Sequence, residues 1–170
     1  MQATTQLLWI RENNYGDIMD YGKQLFNLRD RQGLTNVEMA NLLKISDSLY
    51  SRYEKNKQTI PIKHLNTLCN YFGVSLDYIF NFTKLKNYNK SKKEININLS
   101  SQRLKEFRKE NKLTQLKIAT ILNTDNSTIS KYERALFPIA TSYLYQICKK
   151  YGISADYLLG KTDKPKSYIS

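Results

Sequence analysis

The 170-residue chain is poor in the residues that carry most protein chemistry. It has one histidine, His64, so neither a His-based metal cluster nor a Ser-His-Asp arrangement can be assembled. Its two cysteines, Cys69 and Cys148, make neither a disulfide framework nor a metal-ligand spacing. Glycine and proline are few, and no glycine-rich phosphate loop follows a strand-like run. No apolar run approaches the ~18 residues that span a bilayer. No N-terminal stretch has the basic start, apolar centre and small-residue cleavage site of a signal peptide. Acidic residues are also scarce, 15 against 27 Lys and Arg, for a net charge of +12. The expectation is a cytoplasmic protein that is not an enzyme, holds no cofactor or metal and does not enter a membrane. Its charge calls for a polyanionic partner, with nucleic acid as the first candidate.

Apolar residues make up 41% of the chain, enough to build cores. Residues 22–80 and 101–160 are two copies of one unit. Adding 79 to each number aligns them without a gap, with 17 identities between Leu25/Leu104 and Tyr78/Tyr157. Two copies at so long a period indicate a tandem duplication of a small domain, not a solenoid. Apolar spacing within each copy predicts an all-α unit of five helices. In the first copy these run over about 22–32, from Thr35 as a capping box with Glu38, over 47–54 behind Ser46, over 61–72, and over 76–80 behind Ser75. Leu25, Leu28, Leu34, Ala40, Leu43, Tyr50, Leu65, Leu68 and Phe72 are the expected first core. Leu104, Phe107, Leu113, Ala119, Leu122, Ile129, Leu144, Ile147 and Tyr151 are the expected second. Cys69 and Cys148 share a repeat position and are expected to be small core residues.

Three segments lie outside the copies. Residues 1–21 carry an apolar cluster, Leu7-Leu8-Trp9-Ile10, and have no assigned role: a packed helix, a dimerisation arm or a tail all fit. Residues 81–100 form a Lys/Asn-rich linker in which Glu94–Leu99 alternates in the manner of a strand; it is expected to be extended. Residues 161–170 are expected to be a frayed basic tail.

The most informative stretch is 113–134, LTQLKIATILNTDNSTISKYER. A first helix is expected from Gln115 to about Leu122 behind the cap Thr114. A turn follows at Asn123-Thr124, and a second helix from Asn126 to Glu133 behind Asp125. One side of the second helix is apolar, through Ile129 and Tyr132. The other is Asn126, Ser127, Thr128, Ser130 and Lys131. Two short helices with a tight turn, the second polar outward, make a helix-turn-helix, whose second helix suits a DNA major groove.

Leu113-Thr114-Gln115, Ala119 and Thr128-Ile129-Ser130-Lys131-Tyr132-Glu133 resemble the Cro/phage-repressor (xenobiotic-response-element type) helix-turn-helix family. The likeness extends from Arg108 to Tyr151-Gly152-Ile153-Ser154 and Asp156–Gly160. It implies two tandem lambda-repressor-like domains and a DNA-binding transcriptional regulator, nucleoid-associated. The implied role is a repressor of a bacterial or mobile-element operon: a phage, plasmid or conjugative element. It also implies structural ion pairs, Arg29 with Glu54 and Arg108 with Glu133. Base readout would fall to Asn126, Ser127, Thr128 and Lys131, and in the first copy to Asp47, Ser48, Leu49 and Arg52. Gln115, Arg134, Asn36, Lys55 and Lys57 would hold the DNA backbone. The first copy departs from the pattern: Asn36 replaces Gln, Lys44 replaces the turn glycine, and Asp47 and Leu49 replace Asn and Thr. Weaker DNA binding by the first copy is expected.

The expected partner is a double-stranded DNA operator, with a protein effector or antirepressor as a further candidate. The alternatives are an antitoxin or antirepressor-target interaction module and a sequence-independent architectural DNA binder. One chain is expected to span two half-sites about one turn apart. The competing arrangement is a homodimer through the fifth helices, by way of Ile79, Phe80 and Phe82.

Overall fold

A computed structural model describes residues 19–88 and 92–166. The Leu7–Ile10 cluster and the end of the tail lie outside the described residues. Among those described are ten α-helices and no strand. The first copy contains α1 (Gly22–Arg31), α2 (Asn36–Leu43), α3 (Asp47–Glu54), α4 (Ile62–Phe72) and α5 (Leu76–Ile79). The second contains α6 (Ile97–Glu110), α7 (Gln115–Ile121), α8 (Asn126–Glu133), α9 (Thr141–Tyr151) and α10 (Ala155–Leu158). No helix among the described residues is long and apolar enough to cross a membrane.

Local chemistry accounts for the helix starts. Thr35 accepts from the Glu38 amide while Glu38 bonds back to the Thr35 amide, a complete capping box. Ser46, Thr114 and Asp125 accept from the amides three residues ahead in the same way. The backbone repeats as closely as the sequence. Among the described residues ten have positive φ, and they fall in five pairs 79 apart: Gly33/Lys112, Lys44/Asn123, Asn56/Ala135, Gly73/Gly152 and Asn81/Gly160. Five turns are therefore reproduced, four of them with different residues in the two copies.

The expected cores are buried apart from Leu34, Phe72 and Tyr151, which are half-buried. Met39, Tyr53 and Ile118 are additional core residues. Cys69 and Cys148 are both buried, and burial pushes the Cys69 thiol upward. The buried apolar side chains of both copies join in one cluster.

Two sequence expectations are corrected. Glu94–Leu99 is not extended throughout, because α6 begins at Ile97 with the Asn96 side chain accepting from the Leu99 amide. Over the longer window Ser100, Arg103, Leu104 and Phe107 are the buried residues, so helical spacing overrides a six-residue alternation. The expected frayed tail is also wrong for residues 161–166. Lys161 and Thr162 are buried, the Ser154 amide donates to Pro165 O, and Ile153 bridges to Lys166.

The copies meet through α5 and α10, whose N-termini face each other. Each helix carries an aspartate in its first turn that serves the other. The Asp77 amide donates to Asp156 Oδ2 (2.9 Å), and the Ala155 amide donates to Asp77 Oδ1 (2.7 Å). Opposed helix N-termini repel, and two carboxyl groups between them offset that. The Tyr88 and Ser154 hydroxyls also donate to Asp77 Oδ2. Asp77 and Asp156 are both buried. The contact has the form of an isologous dimer interface inside one chain. Its flanks have diverged: Phe82 packs on Tyr145 (centroids 5.2 Å apart), whereas at the equivalent pair with the copies exchanged, Lys161 Nζ donates to Asn66 Oδ1 (2.5 Å). Phe80 packs edge-on against Tyr145 as well. The surface expected to form a homodimer, Ile79, Phe80 and Phe82, is thus occupied within the chain.

Candidate nucleic-acid interface

Each helix-turn-helix is held by one bidentate ion pair. Arg29 Nε and Nη2 donate to Glu54 at 2.7 and 3.0 Å, and Arg29 Nη1 donates to Leu34 O at 2.7 Å. Arg108 does the same with Glu133, at 2.5 and 3.1 Å, and with Leu113 O at 2.9 Å. These contacts tie the first helix of each copy to the end of its third, and cap the turn before the second. The paired glutamates raise both guanidinium groups further above their ordinary value. Burial works to raise the Glu133 carboxyl, but hydrogen bonds from Arg108 and Gln115 outweigh it and hold the group below the usual range.

With that frame fixed, α8 turns Ile129 and Tyr132 into the core and leaves Asn126, Ser127 and Lys131 exposed, with Thr128 half-buried. In α3 the corresponding residues Asp47, Ser48 and Arg52 are exposed, and Leu49 is half-buried. The expected readout residues of each copy are therefore gathered on one helix face. Two details refine them. The Ser127 and Thr128 hydroxyls both donate to Asp125, at 2.5 and 3.1 Å. The Ser127 bond and the Thr128 amide hold the Asp125 carboxyl down to about 2. In the free protein those hydroxyls complete the cap, so Asn126 and Lys131 are the outward-reaching groups. In the first copy, Asp47 bonds its neighbour's amide, Ser48, at 2.8 Å, and Arg52 donates to Gln58 at 3.2 Å.

Among the expected backbone-holding residues, Arg134, Lys55 and Lys57 are exposed at or beyond the ends of α8 and α3. Gln115 differs from its expected use: its amide donates to Glu133 Oε2 at 2.8 Å, which leaves its backbone N–H, at the start of α7, as the group for a phosphate. Asn36 is one methylene shorter, and its carbonyl oxygen is buried without a hydrogen-bond partner. A cleft beside it is lined by Lys23, Arg29, Glu54 and Lys55.

Sequence reasoning missed the interface set, Asp77, Asp156, Asn66, Lys161 and Tyr88. The available signal was an aspartate at the same repeat position of both copies, inside a segment otherwise apolar. Arg103 was also missed. It donates to Tyr157 O, Thr162 O and Asp163, and lies over the Tyr157 ring, anchoring the segment after α10.

No group of three or more His, Cys, Asp or Glu among the described residues could hold a metal ion. No solved structure matches the chain. A curated relative, the HTH-type transcriptional regulator ImmR of Bacillus subtilis (strain 168), is 40% identical over 65 residues, which cover 38% of this chain and 51% of the relative. The chain thus spans about half the length of that protein. The profile described as a helix-turn-helix domain matches residues 22–84 and again 101–164. With two matched regions that together take in most of its length, the chain belongs to the helix-turn-helix domain family.

Proposed function

We propose that the protein is a sequence-specific, double-stranded-DNA-binding transcriptional regulator in which one chain occupies two half-sites of an operator. Its units would be residues 22–80 and 101–160, with 81–100 joining them. The observation that carries this reading is the pairing of two helix-turn-helix units through α5 and α10. That contact does inside one chain what a two-fold dimer interface does between two. Half-sites on one face of DNA lie about 34–36 Å apart. The relative's name supports transcription regulation, and repression of a mobile-element operon is the finer form of the proposal.

Asn126 and Lys131 would read bases, since Asn pairs with adenine and Lys donates to guanine acceptors. Arg134, Lys55, Lys57 and the Gln115 backbone N–H would hold the DNA backbone. Because α3 and α8 differ at every exposed readout position but Ser48/Ser127, the half-sites would be unequal.

The test is selection of bound duplexes from a random pool, followed by titration and mass measurement of the complex. One chain covering two adjacent major grooves is expected, with affinity falling steeply with salt. Asn126→Ala or Lys131→Ala should weaken the best site by about 1–3 kcal/mol and relax preference at one base pair. Equal affinity for selected and random duplexes would leave only an architectural binder. Salt-insensitive binding to a protein, with no DNA complex, would favour the interaction module.

A further inference from the structure

The loops that follow the two reading helices share a backbone and differ in chemistry. Asn56 and Ala135 both have positive φ, and the next amide closes the same bond, Lys57 to Arg52 O (2.9 Å) and Leu136 to Lys131 O (3.0 Å). The first loop then presents Lys57-Gln58, and the second presents Leu136-Phe137, with 51% and 57% of these two residues exposed. The turn forms equally well with either pair, so the fold does not require two large apolar side chains in water there.

Both loops run to the boundary between the copies. Just beyond them the Thr141 hydroxyl donates to Ile60 O at 2.6 Å, and Pro138 lines a cleft together with Lys63 of α4. Residues 135–138 therefore lie near the axis that relates the copies. Two reading helices set one turn apart on one face of B-DNA have a minor groove between them, facing the same axis.

We propose that Leu136 and Phe137 form an apolar wedge that enters the minor groove at the centre of the operator and kinks a flexible base step there. The inference rests on the operator reading above and adds a contact to it. Leu and Phe are among the side chains that open base steps from the minor groove, and TA and CA/TG are the steps that yield most easily. The occupant is DNA because cations flank the wedge: Lys131 and Arg134 precede it in the chain, Lys63 of the other copy shares with Pro138 a cleft that also holds Glu94, and Lys57 takes the place of Leu136 in the equivalent loop. A basic rim attracts a polyanion and opposes basic proteins. Only one loop carries the wedge, so it also gives the chain a direction on its site.

The test uses the full chain with Leu136→Lys and Phe137→Gln together, the residues of the first copy, beside Phe137→Trp, which keeps the wedge. Binding and end-to-end energy transfer are measured on selected duplexes whose central step is TA or GC. The wild type and Phe137→Trp should prefer TA by about tenfold and bend that duplex. The double variant, its melting temperature unchanged because both positions are exposed, should bind both duplexes equally and bend neither. A double variant that keeps preference and bend overturns the wedge. So does a double variant that binds and bends DNA as the wild type does but abolishes self-association of the wild type, which would make the patch a protein contact. A wild type that binds no duplex at all overturns the operator reading with it.

Discussion

At Gly22 an added Cβ would lie 2.1 Å from the carbonyl oxygen of Glu54, and the Gly22 amide donates to the Asn56 side chain at 3.0 Å. The start of α1 thus rests on the end of α3 with no room between. Gly22→Ala should destabilise the protein by about 1–3 kcal/mol, since an overpacked site must move backbone. A denaturation midpoint equal to the wild type would show that α1 can shift freely. Lys44 has φ 56°, in the left-handed region, with no glycine to relieve it. Both arginine pairs make a stronger demand. Arg108→Leu would leave Glu133 with one donor, Gln115, in a nearly buried site. The cost should be about 3–5 kcal/mol, as for a buried pair broken on one side. Its stability should also lose less than the wild type when pH falls through the carboxylate range. Glu133 is held low in the folded wild type, so its contribution is present above the unfolded value and is lost on acidification.

The junction of α5 and α10 carries the opposite sign. Burial first, then the neighbouring Asp77, push the Asp156 carboxyl up to about 7 from an ordinary 3.8. Burial raises Asp77 as well. Facing the pair are the Tyr88 and Ser154 hydroxyls and, on the other side, the Lys161 ammonium. A folded-state value above the unfolded one means that unfolding releases a proton between about pH 3.8 and 7. The contribution of this pair is full below that window, falls as pH rises through it, and is level above. Asp156→Asn retains an acceptor for the Asp77 amide and cannot ionise. It should flatten the stability profile across the window and be the more stable form at pH 8, read by chemical denaturation at several pH values. A profile parallel to the wild type would mean that the pair does not titrate there.

Over the whole molecule, what the sequence made legible was whatever is local. Caps such as Thr35 and Asp125, the turn at Asn123 and the buried faces around Leu25 or Ile129 follow from residues within one or two turns of each other. The repeat multiplied that signal, because a helix seen faintly in one copy is seen again in the other. Contacts between the copies were not legible. Asp77 and Asp156 point to no partner in the sequence until α5 and α10 are brought end to end. Lys161 reads as part of a basic tail until Asn66 receives it. The α6 start was misplaced for the converse reason: Glu94–Leu99 has a clear short pattern whose competitor lies in the next two turns.

The divergence of the two flanks, aromatic at Phe82/Tyr145 and polar at Lys161/Asn66, sets the combinations that are tolerated. Pairing a first copy with another first copy would place Phe82 against Asn66 twice, and a second with a second would place Lys161 against Tyr145 twice. A chain therefore finds its complement in its own other half. In a cell holding one intact and one damaged gene for this protein, an intact chain that closes this contact on itself leaves no α5 or α10 surface for a damaged chain to occupy. Loss of one reading helix would then behave as a recessive lesion, where in an ordinary dimer of separate chains it would act dominantly.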